Sequence, residues 1–155
     1  MGFKVMNVAM RGLAIAVCLC LTAGASALAG SDAFKAIVGA YLQIQTQLAA
    51  DKMDGVKQSA GSIASNAEAM GASGAALAKA ARAVGDAADL KAAREAFGPL
   101  SDAMIALGTA ETWKDAGGVK VAFCPMVKKS WVQKGEKIRN PYYGSAMLEC
   151  GEIKK

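Results

Sequence analysis

Residues 89–107 read DLKAAREAFGPLSDAMIAL, and the apolar positions in this stretch decide the fold class. Leu90, Ala93, Phe97, Leu100, Met104 and Leu107 alternate at spacings of three and four, the seam of a helix packed in an antiparallel bundle. Asp89 stands where an N-cap is needed. Pro99 lies inside the seam and predicts a kink or a locally opened ladder.

Three earlier segments carry the same signal. Phe34, Ile37, Val38, Tyr41, Leu42 and Leu48 share one helical face, with Ser31 and Asp32 placed to cap its start. Asp51 to Gly55 breaks that pattern. Val56, Ala60, Ile63, Ala67 and Met70 resume it, and Gly71-Ala72-Ser73-Gly74 breaks it again. A weaker stripe follows at Leu77, Ala81, Val84 and Ala88. Four segments with short connections predict an all-α fold, an up-down four-helix bundle over residues 30–113. Residues 114–155 read as a short, irregular, β-containing C-terminal segment packed on that bundle. Within it, Val119 to Phe123 alternates like a strand.

Composition agrees with helices. The chain has 155 residues, 54% of them hydrophobic but only 6% aromatic, so its apolar content is largely alanine. The length suits one domain. There is no histidine. That excludes Ser-His-Asp and Cys-His nucleophilic catalysis, His-ligated zinc or haem, and a histidine pH switch. No Gly-rich phosphate loop and no C-x-x-C pair is present either, and the expectation is a protein that is not an enzyme.

The first 29 residues read as a cleaved secretory signal. Lys4 and Arg11 form its charged region, Leu13 to Leu21 its apolar run, and Ala27-Leu28-Ala29 an A-x-A cleavage signature. Nine apolar residues are too few to span a bilayer, which takes about 20. Export would place the mature chain in the periplasm, without stable membrane insertion. The net charge of +5 comes from 18 basic and 13 acidic residues, with lysines scattered along the tail. They read as a solvated surface, not as a nucleic-acid site.

Cleavage after Ala29 would remove Cys18 and Cys20 and leave Cys124 and Cys150. These lie in two mirrored motifs, Cys124-Pro125-Met126 and Met147-Leu148-Glu149-Cys150. Thiolates and thioethers are soft donors. In a chain without histidine, Cys124, Met126, Met147 and Cys150 would suit Cu(I) or Ag(I) and not zinc, magnesium or calcium. Two cysteines in an exported protein equally fit a disulfide. A Cys124–Cys150 bridge would close a loop of about 26 residues, worth roughly 3 kcal/mol in the chain-entropy model. Both readings stand at this point. Trp113 and Trp131 read as seals between tail and bundle, with a role over a bound cation as the other option.

The tail has further marked motifs: Phe123-Cys124-Pro125-Met126, Ser130-Trp131-Val132, Ile138-Arg139-Asn140-Pro141-Tyr142-Tyr143-Gly144 and Met147-Leu148-Glu149-Cys150-Gly151. Together with Tyr41-Leu42 and Arg94-Glu95-Ala96-Phe97, they resemble an uncharacterised family of exported domains. Members occur alone or fused to the C-terminus of periplasmic adaptor subunits of copper/silver-type RND efflux systems. The resemblance implies a helical bundle with a soft-metal site in envelope copper or silver handling, and an efflux adaptor or another envelope protein as partner. Cys124, Met126, Met147 and Cys150 would be the ligands. Trp131, Asn140, Pro141, Tyr142 and Gly144 would shape the loop between them. The chain lacks the hairpin, lipoyl and barrel scaffold of the adaptors, so the expected role is a separate protein that buffers or delivers the ion.

Overall fold

The computed structural model describes residues 1–2, 22–108, 113–114 and 116–154. The apolar run 13–21 of the expected signal lies outside the described residues. Four helices come first: α1 (Thr22–Ala49), α2 (Val56–Ala69), α3 (Ala75–Gly85) and α4 (Leu90–Leu107). Three strands follow: β1 (Val119–Cys124), β2 (Lys129–Lys134) and β3 (Glu152–Ile153). They form an antiparallel sheet in the order β2-β1-β3. The fold is therefore mixed helix and sheet, which corrects the all-α expectation. The tail, expected to be irregular with some β content, pairs three strands into that sheet.

The helical stripes bury as their spacing dictates. Ile37, Tyr41, Ile44 and Leu48 of α1, Ile63 of α2, Leu77 of α3, and Phe97, Leu100 and Met104 of α4 are fully or almost fully buried. Alanines fill the space between them, and their small size lets the backbones approach closely. Ala88 departs from its stripe and is exposed. Consecutive helices pack on each other, but α1 and α4 meet over only a short stretch, and β2 packs against both. Each buried Leu, Ile or Phe contributes about 1.5–3 kcal/mol, so this shared core is the main stabilising term.

The helix ends follow local chemistry. The Asp89 side chain accepts the Ala92 N–H at 2.8 Å, as an N-cap should. Pro99 leaves α4 unbroken. The bond it cannot make would go to the Glu95 carbonyl, and both residues are exposed, so the gap in the ladder lies on the solvent-facing side of the helix. Ser31 and Asp32 do not start α1, because the helix begins at Thr22 and runs through them. At its other end α1 closes with Asp51 in the left-handed region, φ +59. Lys52 N–H bonds the Gln47 carbonyl at 2.9 Å and Asp51 N–H bonds the Leu48 carbonyl at 3.3 Å, a Schellman turn.

β1 and β2 form a hairpin with register Val121↔Val132 and Cys124↔Lys129. The outer edge of β2 faces the helices. There the Tyr41 hydroxyl accepts the Val132 N–H at 3.1 Å and bonds Ser101 Oγ at 2.6 Å. One fully buried side chain thus joins α1, α4 and the sheet. Aromatic rings extend this joint. Tyr41 stacks on Phe97 at 5.1 Å, Phe97 lies 5.8 Å from Tyr142, and Tyr142 meets Trp131 edge-on at 6.0 Å.

Candidate functional site

The site is built at the end of β1. That strand delivers Cys124 to the hairpin turn, and the pairing of Phe123 with Glu152 brings the start of β3 alongside it. Gly151 makes the approach possible. Its φ is +145, and a Cβ there would stand 2.7 Å from the Trp131 ring and 3.0 Å from the Phe123 carbonyl. The preceding residue, Cys150, then lies against Cys124. The two Sγ atoms are 3.0 Å apart, both as free thiols. Cys124 is fully buried and Cys150 half-buried.

The pair is electrostatically unequal. Burial opposes ionisation of Cys124. The Cys150 thiol, the backbone N–H groups of Val127 and Met126 and the Asn140 side chain outweigh it, so its pKa lies below the ordinary thiol value. Cys150 is shifted upward, first by its hydrogen bond to Cys124 and then by burial. The surroundings thus favour the charge on Cys124 over Cys150.

Asn140 holds the two arms of the tail together. It is fully buried. Its Nδ2 donates to the Cys150 carbonyl at 2.7 Å, and its Oδ1 accepts the N–H groups of Tyr142 at 2.8 Å and Tyr143 at 3.3 Å. Its own N–H donates to the Leu148 carbonyl at 2.8 Å. Trp131 is the floor. It is fully buried, and its Nε1–H donates to Gln133 Oε1 at 3.0 Å. Tyr142 donates its hydroxyl to the Ser130 carbonyl at 2.6 Å. Trp131 packs within the tail, edge-on to Tyr142, and it is the Tyr142 ring that reaches Phe97 of α4; Trp113 lies 5.5 Å from Phe34 of α1.

Of the four sulfur residues singled out by sequence, the structure brings Cys124 and Cys150 together. Met126 and Met147 stand at the surface, 64% and 38% exposed. Their backbones nonetheless belong to the site. Met126 sits in the hairpin turn two residues after Cys124, and the Met147 carbonyl accepts the Cys150 N–H at 3.1 Å. Among the described residues, no three His, Cys, Asp or Glu side chains gather into one cluster. Two thiols are too few for a structural zinc site, whereas soft monovalent ions accept a pair of sulfur donors.

A second cluster, not singled out by sequence, clamps the tail to the bundle. Arg94 Nη2 bonds Asp51 Oδ1 at 2.5 Å and the Leu48 carbonyl at 2.7 Å, and Arg94 Nε bonds the Pro141 carbonyl at 3.0 Å. Asp51 Oδ2 accepts the Ser145 N–H at 3.0 Å. Hydrogen bonds from Ser145, then from the Arg94 guanidinium, hold the Asp51 carboxyl down to about 2. Gly144 closes the clamp at φ +56, where a Cβ would run into both Asp51 and Arg94. The available signal was an aspartate at a helix C-terminus where glycine is usual.

A family model described as a protein of unknown function (DUF3347) matches residues 37–115. The match spans α1 from Ile37 through α4 and ends before the sheet and before both cysteines, although the tail holds the most distinctive motifs. No curated protein and no solved structure matches the chain. With just over half of its 155 residues matched, the chain belongs to the DUF3347 family of proteins of unknown function.

Proposed function

We propose that the protein holds a single Cu(I) or Ag(I) ion between Cys124 and Cys150, and buffers it in the periplasm or delivers it to an envelope efflux system. The observation that carries this reading is the approach of the two thiols to 3.0 Å, with Cys124 favoured as a thiolate. A bridging ion with two metal–sulfur bonds of about 2.3 Å needs the sulfurs about 3.5–4.5 Å apart. Binding would therefore turn the half-buried Cys150 side chain away from Cys124. Export is supported by the signal-like residues 1–29, and no helix among the described residues is long and apolar enough to cross a membrane. The efflux connection rests on the resemblance of the tail motifs.

The test is competition for Cu(I) between the reduced protein and a chromogenic chelator. The expected result is one bound ion, with binding abolished in Cys124→Ser and in Cys150→Ser. Equal uptake by wild type and both variants would refute the reading.

The same 3.0 Å separation favours a second reading, a disulfide-stapled interaction module without metal. An S–S bond of about 2.05 Å requires less movement than a bridging ion. It predicts that protein purified without reductant has no thiol that alkylates, and that gentle reduction brings no metal uptake.

A further inference from the structure

We infer that Met126 and Met147 form a capture rim: the two exposed thioethers take an incoming Cu(I) or Ag(I) first and pass it inward to Cys124 and Cys150. The inference rests on the soft-metal reading of the thiol pair.

The accessibility of the four sulfurs is graded. Cys124 is fully buried, Cys150 is half-buried, Met147 is 38% exposed and Met126 64%. An ion of this kind moves between donors by ligand exchange, in which a new ligand bonds before the old one leaves. The first protein ligand must therefore reach a carrier outside the protein, and the buried Cys124 thiol cannot. The methionines can, and each is anchored to the pair through its own backbone. Met126 follows Cys124 by two residues in the turn that closes the hairpin, and the Met147 carbonyl accepts the Cys150 N–H at 3.1 Å.

The exposure itself is unusual. Apart from Met1, these are the large apolar side chains left exposed among the described residues, while the remaining core is covered. Methionine suits the task because its side chain has three rotatable bonds and ends in a neutral, polarisable sulfur. It has no proton to lose on binding.

The steps balance without electron transfer. A carrier–metal bond breaks as a thioether–metal bond forms. The thioether–metal bonds then break as the two thiolate–metal bonds form, and the protons held by the thiols pass to water.

The test is stopped-flow transfer of Cu(I) from a chelator to the full reduced chain, comparing wild type with the Met126→Leu/Met147→Leu double variant. Leucine at exposed positions leaves the core intact. The expected result is association slower by about tenfold or more, with equilibrium affinity unchanged within about twofold. Dissociation must then slow by the same factor, because affinity is the ratio of the two rates. Unchanged rates would overturn the inference. A parallel loss of affinity would also overturn it, by making the thioethers ligands of the bound state. Failure of wild type to take up the ion would instead sink the thiol-pair reading, and this inference with it.

Discussion

Replacing Asn140 tests how the two arms of the tail are held together. In Asn140→Ala the Cys150 carbonyl and the Tyr142 N–H lose partners at 2.7 and 2.8 Å, in a place with no solvent exposure. The 3.3 Å contact to Tyr143 is too long to add much. Two buried backbone groups left unpaired, at about 1–3 kcal/mol each, give an expected destabilisation of about 2–6 kcal/mol. With a urea slope of about 2 kcal/mol/M, the midpoint should fall by about 1–3 M. The assay is urea unfolding of reduced protein followed by tryptophan fluorescence, to which the buried Trp131 contributes. A fall of less than about 0.3 M would refute the bonding scheme, since it lies below the cost of one unpaired group. Asn140→Asp supplies a second arm. One oxygen still accepts the Tyr142 N–H, but the other donates to the Cys150 carbonyl only when protonated. The new carboxyl therefore has a raised folded-state pKa, and the folded state binds more protons than the unfolded state. Stability must rise as pH falls through that pKa, opposite to the usual carboxylate case. A variant whose stability does not improve on acidification would contradict this account.

The remaining predictions concern the joints around the site. Tyr41→Phe leaves the Val132 N–H unpaired in the core and should cost about 1–3 kcal/mol, whereas Ser101→Ala should cost less because Tyr41 keeps its bond to the strand; paired urea curves check the order. Gly144→Ala places a side chain at φ +56 against Asp51 and Arg94 and should destabilise by about 1–3 kcal/mol, read as a lowered thermal midpoint. The Asp51 carboxyl has its folded-state value depressed from 3.8 to about 2. Its stabilisation is thus complete above about pH 4 and lost as pH falls toward 2, so acid titration of Asp51→Asn should show a flatter stability profile over that window.

Much of the helical half was legible because each helix buries one face. The stripe Leu90-Ala93-Phe97-Leu100-Met104 is read from spacing alone, and Asp89 marks its start by residue type. The sheet was only partly legible. β1 shows because buried Val119, Ala122 and Cys124 are interleaved with half-buried neighbours. β2 hides because Trp131, Val132 and Gln133 are buried in succession. One of its sides meets the helices, and Gln133 turns inward on the other to accept the Arg139 N–H and donate to the Lys137 carbonyl. A strand buried on both sides has no period of two. β3, at two residues, is too short to carry a pattern. In the candidate site, sequence singled out the thiols and the residues that shape their loop. It could not separate buried sulfur from exposed sulfur, since the two motifs look symmetric. Nor could it find the Arg94–Asp51 clamp, whose members are 43 residues apart and joined only by the tertiary fold.

The bond from Val132 to the Tyr41 hydroxyl has a consequence for assembly. The N–H of an outer strand is the point at which another chain would add a strand of its own. Here a side chain from the same molecule occupies it, so β2 is closed to recruitment. The opposite edge, β3, offers only Glu152 and Ile153. β2 is thereby sealed against strand exchange and fibre growth, at the edge of the sheet away from β3.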